Sequence, residues 1–180
     1  MAFTSWLNKG TLITLEDGSQ KAIESIEVGD SVQTFDMDHK DFDSAHIENN
    51  EQSATEVKEV KENTVDGGSV STITFDNGSE VTLTNDYPIY GYSEDDAWIM
   101  CDVEATEVLY GTDDEDGGER FSEVKVGTEA YLDGDDTSAS VTDVETHKDG
   151  TSFSMYTIST LEAGNTVFAN HIMVAAGSQL

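Results

Sequence analysis

Apolar and polar residues alternate in short runs along much of the chain, and such alternation is typical of β-strands. Clusters of Gly, Asn and Asp separate the runs and indicate turns. No stretch longer than ten residues repeats its apolar positions with the period of a helix. The runs that predict strands are 11–15, 20–23, 31–35, 55–60 (an edge strand), 72–75, 79–84, 121–126, 129–132, 138–146, 152–160 and 166–174. The pattern therefore predicts an all-β protein with short strands.

The clearest local signal lies in the segment 72–90. Asn77-Gly78 separates two β-prone runs, and Asn-Gly between such runs is a strong hairpin signal. The second run leads into Thr84 and Tyr87, and Pro88 then excludes the helical conformation at Tyr87. We expect a hairpin followed by an extended corner.

Two segments, 36–70 and 105–120, are polar, acidic and poor in apolar residues. They are predicted to be loop insertions, with the edge strand 55–60 inside the first. The length of 180 residues suits a single domain, 1–180, that buries a core without disulfides.

Two segments of the first half are repeated in the second half. The segment 23–32 aligns with 121–130, which matches Gly29 to Gly127, and 74–81 aligns with 160–167, which matches Gly78 to Gly164. The two matches occur in the same order along the chain. They predict two similar β-halves related by a pseudo-two-fold axis.

The net charge of the chain excludes some classes of binding partner. Lys and Arg number 8 against 38 Asp and Glu, which gives a formal net charge of −30. Such a chain would repel nucleic acid and anionic membrane surfaces, so neither is expected as a partner. An acidic, lysine-poor surface suits a folded protein at high salt, where self-repulsion is screened, although acidic proteins also occur in ordinary cells and in viruses. The N-terminus lacks the features of a signal peptide, and no run is long enough to cross a membrane. A soluble protein is expected.

Few residues suit metal or cofactor chemistry. Cys101 is the sole cysteine and is expected to be a buried small hydrophobe. His39 and His46 have no Cys or third His nearby in sequence, which argues against zinc. The acidic segment 111–119 lacks the spacing of an EF-hand, so it is expected to be a solvated loop, with weak cation binding, and thus calcium-assisted adhesion, as the lesser alternative. No cofactor is expected. The cation candidates are Asp113, Asp114, Glu115 and Asp116.

Together these features resemble the Hint fold of inteins, hedgehog autoprocessing domains and bacterial intein-like domains. The segments 10–18 and 22–36 are similar to the first block of that family, and 81–89 is similar to its Thr-x-x-His-Pro block. The segment 121–127 resembles a later block, and 155–160 and 166–174 resemble the closing ones. The resemblance spans nearly the whole chain and implies a pseudo-symmetric β horseshoe whose two chain ends meet near Tyr87.

The same resemblance implies protein-splicing chemistry, but the reactive groups are absent. Splicing needs a Ser, Thr or Cys nucleophile, a Thr-x-x-His that polarises the first peptide bond, a terminal Asn that cyclises, and a nucleophile after it. The nucleophile position falls on Trp6, the histidine position holds Tyr87, and alanines stand at the closing His-Asn pair. A phenol with a pKa near 10 is a poor proton shuttle at neutral pH. The vestigial positions are Ser5, Trp6, Thr84, Tyr87, Asn170, His171, Ala175 and Ala176.

Two functions follow from these observations. The first is a catalytically inactive Hint-like module that acts as a structural or interaction protein, for example in the head, collar or tail of a virion from a halophilic or marine host. Its partners would be other proteins of an assembly, including copies of itself. The alternative is an intein or autoprocessing domain, engineered inactive or using Ser5 with an unusual proton donor.

Overall fold

The computed structural model describes residues 5–35, 53–92, 96–110, 121–133 and 138–177. It contains fifteen strands and one α-helix among these residues, so the predicted all-β class is confirmed. The strands are β1 (Leu7–Asn8), β2 (Leu12–Thr14), β3 (Gln20–Ala22), β4 (Ser31–Thr34), β5 (Ser53–Asp66), β6 (Val70–Phe75), β7 (Glu80–Thr84), β8 (Ile89–Tyr92), β9 (Asp96–Met100), β10 (Phe121–Glu123), β11 (Glu129–Tyr131), β12 (Ser138–Thr146), β13 (Ser152–Leu161), β14 (Thr166–Ala169) and β15 (Ile172–Ala175). The helix, α1, spans Val103–Tyr110.

The strands form one continuous network. Its order is β3-β2-β14-β15-β8-β11-β12-β6-β7-β1-β13-β5-β4, with β9 added beside β8 and β10 beside β9. Within the described part of the chain, β9 and β10 make the one parallel pair. A bridge between Leu15 and Val32 brings the two ends of this order together. Strands distant in sequence are therefore neighbours in the sheet.

The turns before β4 and before β11 have the same hydrogen bonds. The Gly29 amide donates to the Val57 carbonyl at 2.9 Å, and the Gly127 amide donates to the Val141 carbonyl at 2.8 Å. In each case the valine amide donates back to the residue after the glycine. Both glycines have a positive φ, +98° and +93°, which side chains other than glycine rarely adopt. The predicted repeat of 23–32 in 121–130 is confirmed.

Each half contributes strands to the other half. β5 of the first half pairs with β13 of the second, and β12 of the second half pairs with β6 of the first. The registers correspond at their start, since Val57 opposes Leu161 as Val141 opposes Phe75, and both ladders are then irregular at the next residues. The two related strands β8 and β15 pair with each other through Ile89 and Val174. This exchange is the expected pseudo-two-fold arrangement.

The interior is apolar and continuous between the halves. Its largest fully buried side chains include Trp98, Tyr90, Phe168 and Leu83. Tyr90 stacks on Tyr131, with ring centroids 5.3 Å apart, and meets Trp98 edge-on at 5.4 Å. Burial of the apolar surface of these side chains is the main stabilising contribution to the fold.

The prediction of a loop across 36–70 is wrong for residues 53–66. These residues form β5, a strand of fourteen residues that pairs with β13 over most of its length. The predicted strand at 55–60 is part of β5, but its start is not at an edge, because residues 53–56 pair with β4. β5 is polar because much of it faces solvent, and its cross-strand hydrogen bonds do not depend on apolar side chains.

The prediction of a loop across 105–120 is also wrong at its start, because α1 covers Val103–Tyr110. The Asp102 carboxylate accepts a hydrogen bond from the Ala105 amide at 3.0 Å and so caps the helix. Residues 111–120 lie outside the described part of the chain, and with them the cation candidates Asp113, Asp114, Glu115 and Asp116.

The predicted strand 166–174 is two strands. Asn170 and His171 adopt positive φ values, 48° and 72°, and form the turn between β14 and β15. The Asn170 side-chain oxygen accepts from the Leu12 amide at 2.8 Å, which helps to hold this turn. Asn tolerates the left-handed conformation better than most residues, which suits it to the first position.

Candidate functional site

The two ends of the described chain meet at the corner after β7. At the N-terminal end, the Trp6 amide donates to the Thr84 hydroxyl at 3.0 Å, and the Thr84 amide donates to the Trp6 carbonyl at 3.0 Å. At the C-terminal end, the Tyr87 hydroxyl donates to the Ala175 carbonyl at 2.5 Å, and the Ala175 amide donates to the Pro88 carbonyl at 3.0 Å. The segment Thr84–Pro88 therefore holds both ends.

The contact of Thr84 identifies one peptide bond. The hydroxyl of Thr84 reaches the amide nitrogen of Trp6, so the bond beside it is Ser5–Trp6. Ser5 itself is fully buried, and its hydroxyl lies 3.4 Å from the Asp86 carbonyl oxygen, near the upper limit for a hydrogen bond. The indole of Trp6 offers neither a nucleophile nor an acidic proton for acyl transfer.

The C-terminal end at this corner has small side chains. Ala175 and Ala176 are buried, and the Ala176 amide donates to the Asn165 carbonyl at 2.9 Å. Gly177 follows, with its amide bonded to the Ile158 carbonyl at 2.9 Å. Tyr87 is also buried and belongs to the apolar core.

Two predicted positions lie elsewhere. Asn170 and His171 occupy the turn at the end of β15 opposite to Ala175. The His171 Nδ1 lies 2.7 Å from the Asp133 carboxylate, whose same oxygen accepts from the Thr14 hydroxyl at 2.9 Å. His171 is exposed and links three elements at this turn, away from the junction of the chain ends.

Asp86 belongs to the site, although no sequence pattern distinguishes it from the other acidic residues. Burial raises the pKa of its carboxyl above the ordinary value of 3.8, and hydrogen bonds from the Thr84 and Ser5 hydroxyls partly oppose that shift. One carboxyl oxygen, Oδ1, is inaccessible and accepts no hydrogen bond from the described residues. The Thr106 hydroxyl of α1 donates to the Asp86 carbonyl at 3.1 Å. The Trp6 amide, Thr84 and Asp86 thus form a connected polar network.

A cavity of about 440 Å³ adjoins this network. Its walls are formed by the end of β5, the corner at Thr84–Asp86, Trp6 and the start of α1. Its acidic residues come from distant parts of the sequence: Asp66, Asp86 and Asp102. No Lys or Arg of the described ranges lines it.

Three further features bear on the chemistry of the chain: its cysteine, possible metal ligands and the length of its helices. Cys101 is half-buried and packs against the core, and burial raises the pKa of its thiol to about 11, so it is a poor nucleophile. The described ranges contain no group of three or more His, Cys, Asp or Glu residues placed to hold a metal ion. Among these same residues, no helix combines the length and apolar character required to cross a membrane.

We predict that Asp86→Asn stabilises the chain above the raised pKa of Asp86. A buried acid with a raised pKa binds its proton more tightly in the folded state, so its ionisation destabilises the fold as pH rises through that pKa. The free energy of unfolding of the variant, measured by urea at several pH values, should therefore equal that of the parent below 3.8 and exceed it at pH 7.

Asp143→Asn is the charge-matched control. Asp143 is exposed on β12, and its substitution removes the same charge as Asp86→Asn. An Asp86→Asn gain no larger than the gain from Asp143→Asn would contradict the prediction.

Comparison with known proteins places the fold. No protein-family model and no curated protein sequence matches the chain. Among solved structures, it is similar to a bacterial intein-like domain from Clostridium thermocellum, with 17% identity, TM-score 0.65 and coverage of 96% of this chain and 99% of that one. A DnaB intein from Synechocystis sp. PCC 6803 has 12% identity, TM-score 0.64 and the same two coverages, 96% and 99%. The gp41-1 intein has 16% identity, TM-score 0.56 and again coverages of 96% and 99%.

Proposed function

From the premise that the chain has the Hint-type fold of inteins, we propose that it is a catalytically inactive module that acts by binding other proteins. The observation that carries the proposal is the hydrogen bond from the Trp6 amide to the Thr84 hydroxyl. In the family pattern, the Thr of the Thr-x-x-His block acts on the peptide bond before the nucleophile. In this chain the corresponding residue is Trp6, which has no nucleophilic group.

The C-terminal junction supports the same proposal. Ala176 stands where the family pattern has the Asn that cyclises, and Ala175 stands at the histidine before it. Neither methyl group can attack a carbonyl or transfer a proton. Tyr87, at the histidine position of the corner, contacts the Ala175 carbonyl and so connects the two ends as a packing residue. Loss of such groups costs orders of magnitude in rate.

The proposed role is structural, in an assembly such as a virion head, collar or tail. An all-β scaffold whose corner at Thr84–Pro88 holds both chain ends by hydrogen bonds suits an assembly component. The net charge of −30 suits a halophilic or marine host, because high salt screens the repulsion among carboxylates.

The test places the chain between two different folded reporter domains. We expect one product, whose intact mass equals the full fusion after days at 37 °C. Joined reporters lacking the chain would establish splicing, and release of either reporter would establish cleavage; either result would refute inactivity.

The alternative function is self-cleavage at Ser5. It is favoured by the burial of Ser5 beside Asp86, since the Asp86 carboxyl accepts a hydrogen bond from its hydroxyl. The same fusion distinguishes this reaction, because cleavage before Ser5 gives a fragment that begins at that residue. Ser5→Ala would then abolish the fragment.

We predict that chloride salts stabilise the folded chain. The compact state holds its carboxylates closer together than the unfolded chain, and salt shortens the Debye length from about 10 Å at 0.1 M to about 3 Å at 1 M. The midpoint of thermal unfolding should rise by roughly 5 °C or more between 0.1 and 2 M KCl, which corresponds to about 1–2 kcal/mol for a domain of this size. An unchanged midpoint in KCl would count against a role of the charge.

A further inference from the structure

Among the described residues, one edge of β5 has no partner strand over most of its length. One edge pairs with β13, and the other pairs with β4 from Ser53 to Glu56. Beyond Val57, no strand among the described residues pairs with that second edge. The Thr64 amide on β5 is met by the side-chain oxygen of Asn63 at 2.9 Å, a local contact that a partner strand could replace. An unpaired edge presents N–H and C=O groups to an incoming strand.

The charges that discourage edge pairing cover half of this edge. Lys58, Glu59, Lys61 and Glu62 lie in its first part, and charged side chains, lysine above all, oppose unwanted strand addition. The last part, Asn63 to Asp66, has no lysine. The corresponding second edge of β12 is shorter. β5 therefore offers an accessible stretch of main chain beside its C-terminal end.

The same stretch forms a wall of the acidic cavity. Asn63, Thr64, Val65 and Asp66 all line it. The carboxyl-bearing residues across the cavity are Asp86 and Asp102, and the part of the chain that the structure describes contributes no Lys or Arg to the lining. Asp102 opposes the ionisation of Asp86 through a Coulomb interaction, which a cation in the cavity would offset.

Trp6 adds an aromatic wall. An indole face attracts an ammonium or guanidinium group within about 6 Å, and Arg and Lys are the side chains that combine such a group with an apolar stem. The volume of about 440 Å³ lies within the usual range for a binding pocket and exceeds one such side chain. Shape and charge therefore both favour a basic side chain as the occupant.

We propose that the second edge of β5 and the adjoining cavity bind an extended segment of a partner protein, which adds as a strand and places a Lys or Arg side chain in the cavity. The main chain of Asn63–Asp66 supplies hydrogen bonds without regard to sequence, and the cavity supplies selectivity for the basic residue. This proposal deepens the interaction role described above and rests on it.

The test uses the full chain and two pools of nine-residue peptides with free choice at eight positions. One pool has Arg at the centre, and the other has citrulline, which has the same shape without the charge. Binding is measured by fluorescence anisotropy in 1 M KCl, which screens the attraction of any cation to a chain of charge −30. We expect the Arg pool to bind at least tenfold more tightly than the citrulline pool. Equal binding of the two pools, or no binding of either, would overturn the proposal.

Variants separate the cavity from the edge. Asp86→Asn with Asp102→Asn should reduce the Arg preference to less than threefold, whereas the charge-matched pair Asp143→Asn with Glu145→Gln on β12 should keep it. Thr64→Pro removes the Thr64 N–H, and proline is tolerated on edge strands, so it should weaken both pools alike. Circular dichroism confirms that each variant is folded. An equal loss with the β12 pair would mean non-specific attraction and would refute the site.

Hydrogen exchange followed by NMR gives a second measurement on the unmodified chain. The Thr64 amide should exchange at least tenfold more slowly when the Arg pool is bound, while amides of β12 should not change. Unchanged exchange at Thr64 despite tight binding would reject strand addition. Cleavage in the reporter fusion would refute inactivity without affecting these results, so the two proposals fail separately.

Discussion

The Gly91→Ala chain is expected to lose about 3 kcal/mol or more of its free energy of unfolding, or to fail to fold. Gly91 lies in β8 between Ala97 of β9 and Ala130 of β11. A Cβ at this position would overlap the Glu129 carbonyl oxygen and would lie 2.7 Å from Cδ1 of Ile99. The first neighbour is backbone in a paired strand, so the methyl group can be accommodated only by separating β8 from β11.

Urea denaturation measures this loss, and Gly10→Ala provides the matched control. Gly10 has a φ of +87°, and a Cβ at this position would have no neighbour within 4 Å. Its substitution therefore strains the backbone without a clash. That strain should cost about 1–2 kcal/mol. If Gly91→Ala destabilises the chain no more than Gly10→Ala does, the close approach of β8 and β11 is not a constraint on the fold.

The class and the symmetry of the fold were accessible from the sequence because they depend on local signals. Alternation over short runs identified most strands, and Asn77-Gly78 identified the β6–β7 hairpin. The repeat was visible because Gly29 and Gly127 each need a positive φ, which keeps glycine at equivalent positions of both halves. The exchange of strands between the halves then follows from that symmetry, although the sequence alone does not state which strands pair.

The missed elements are those whose stability comes from distant partners. β5 has charged residues at many positions, so its pattern resembles a loop, and β13 supplies the hydrogen bonds that make it a strand. α1 has eight residues, too few for a period of 3.6 to be convincing. Asn170 and His171 interrupt a continuous apolar run with a turn whose partners, Leu12 and Asp133, lie far away in sequence.

The candidate site was only partly predictable for the same reason. The meeting of both chain ends at Thr84–Pro88 was expected from the resemblance and agrees with the contacts of Trp6 and Ala175. The buried state of Asp86 was not accessible, because Asp after Asn in a corner usually indicates a solvated turn. The cavity combines Asp66 and Asp102 with that corner, and no sequence pattern connects these three segments.

The Ala176→Asn chain is expected to release the tetrapeptide Gly177–Leu180, whereas the parent chain remains intact. In the variant, the side-chain nitrogen of residue 176 attacks its own carbonyl carbon, a succinimide forms, and the bond to the Gly177 nitrogen breaks. A proton from the side-chain amide is transferred to that nitrogen, so the reaction needs no added reagent. Mass spectrometry of the purified chain over days at 37 °C should show the loss.

Ala176→Gln is the matched control, since it adds the same amide on a side chain one methylene longer and closes a six-membered ring less readily. Ala176 is buried, so each amide costs roughly 1–3 kcal/mol of stability, and thermal melting must show that both variants are folded. The Asn variant should cleave at least tenfold faster folded than in urea, because the fold holds the reacting groups together. A folded Asn variant that stays intact would mean that residue 176 does not occupy the cyclising position.

The size of the effect at position 176 tests the chemical basis of the proposed inactivity. If Ala176→Asn cleaves, the backbone at this junction has kept a reactive geometry and lacks only the side chain. Adding Ala175→His should then raise the rate further, by about 100-fold or more, because a positioned imidazole supplies the proton transfer that Tyr87 cannot supply at neutral pH. A rate that does not respond to Ala175→His would instead indicate that the Tyr87 contact with the residue 175 carbonyl has closed the junction to catalysis.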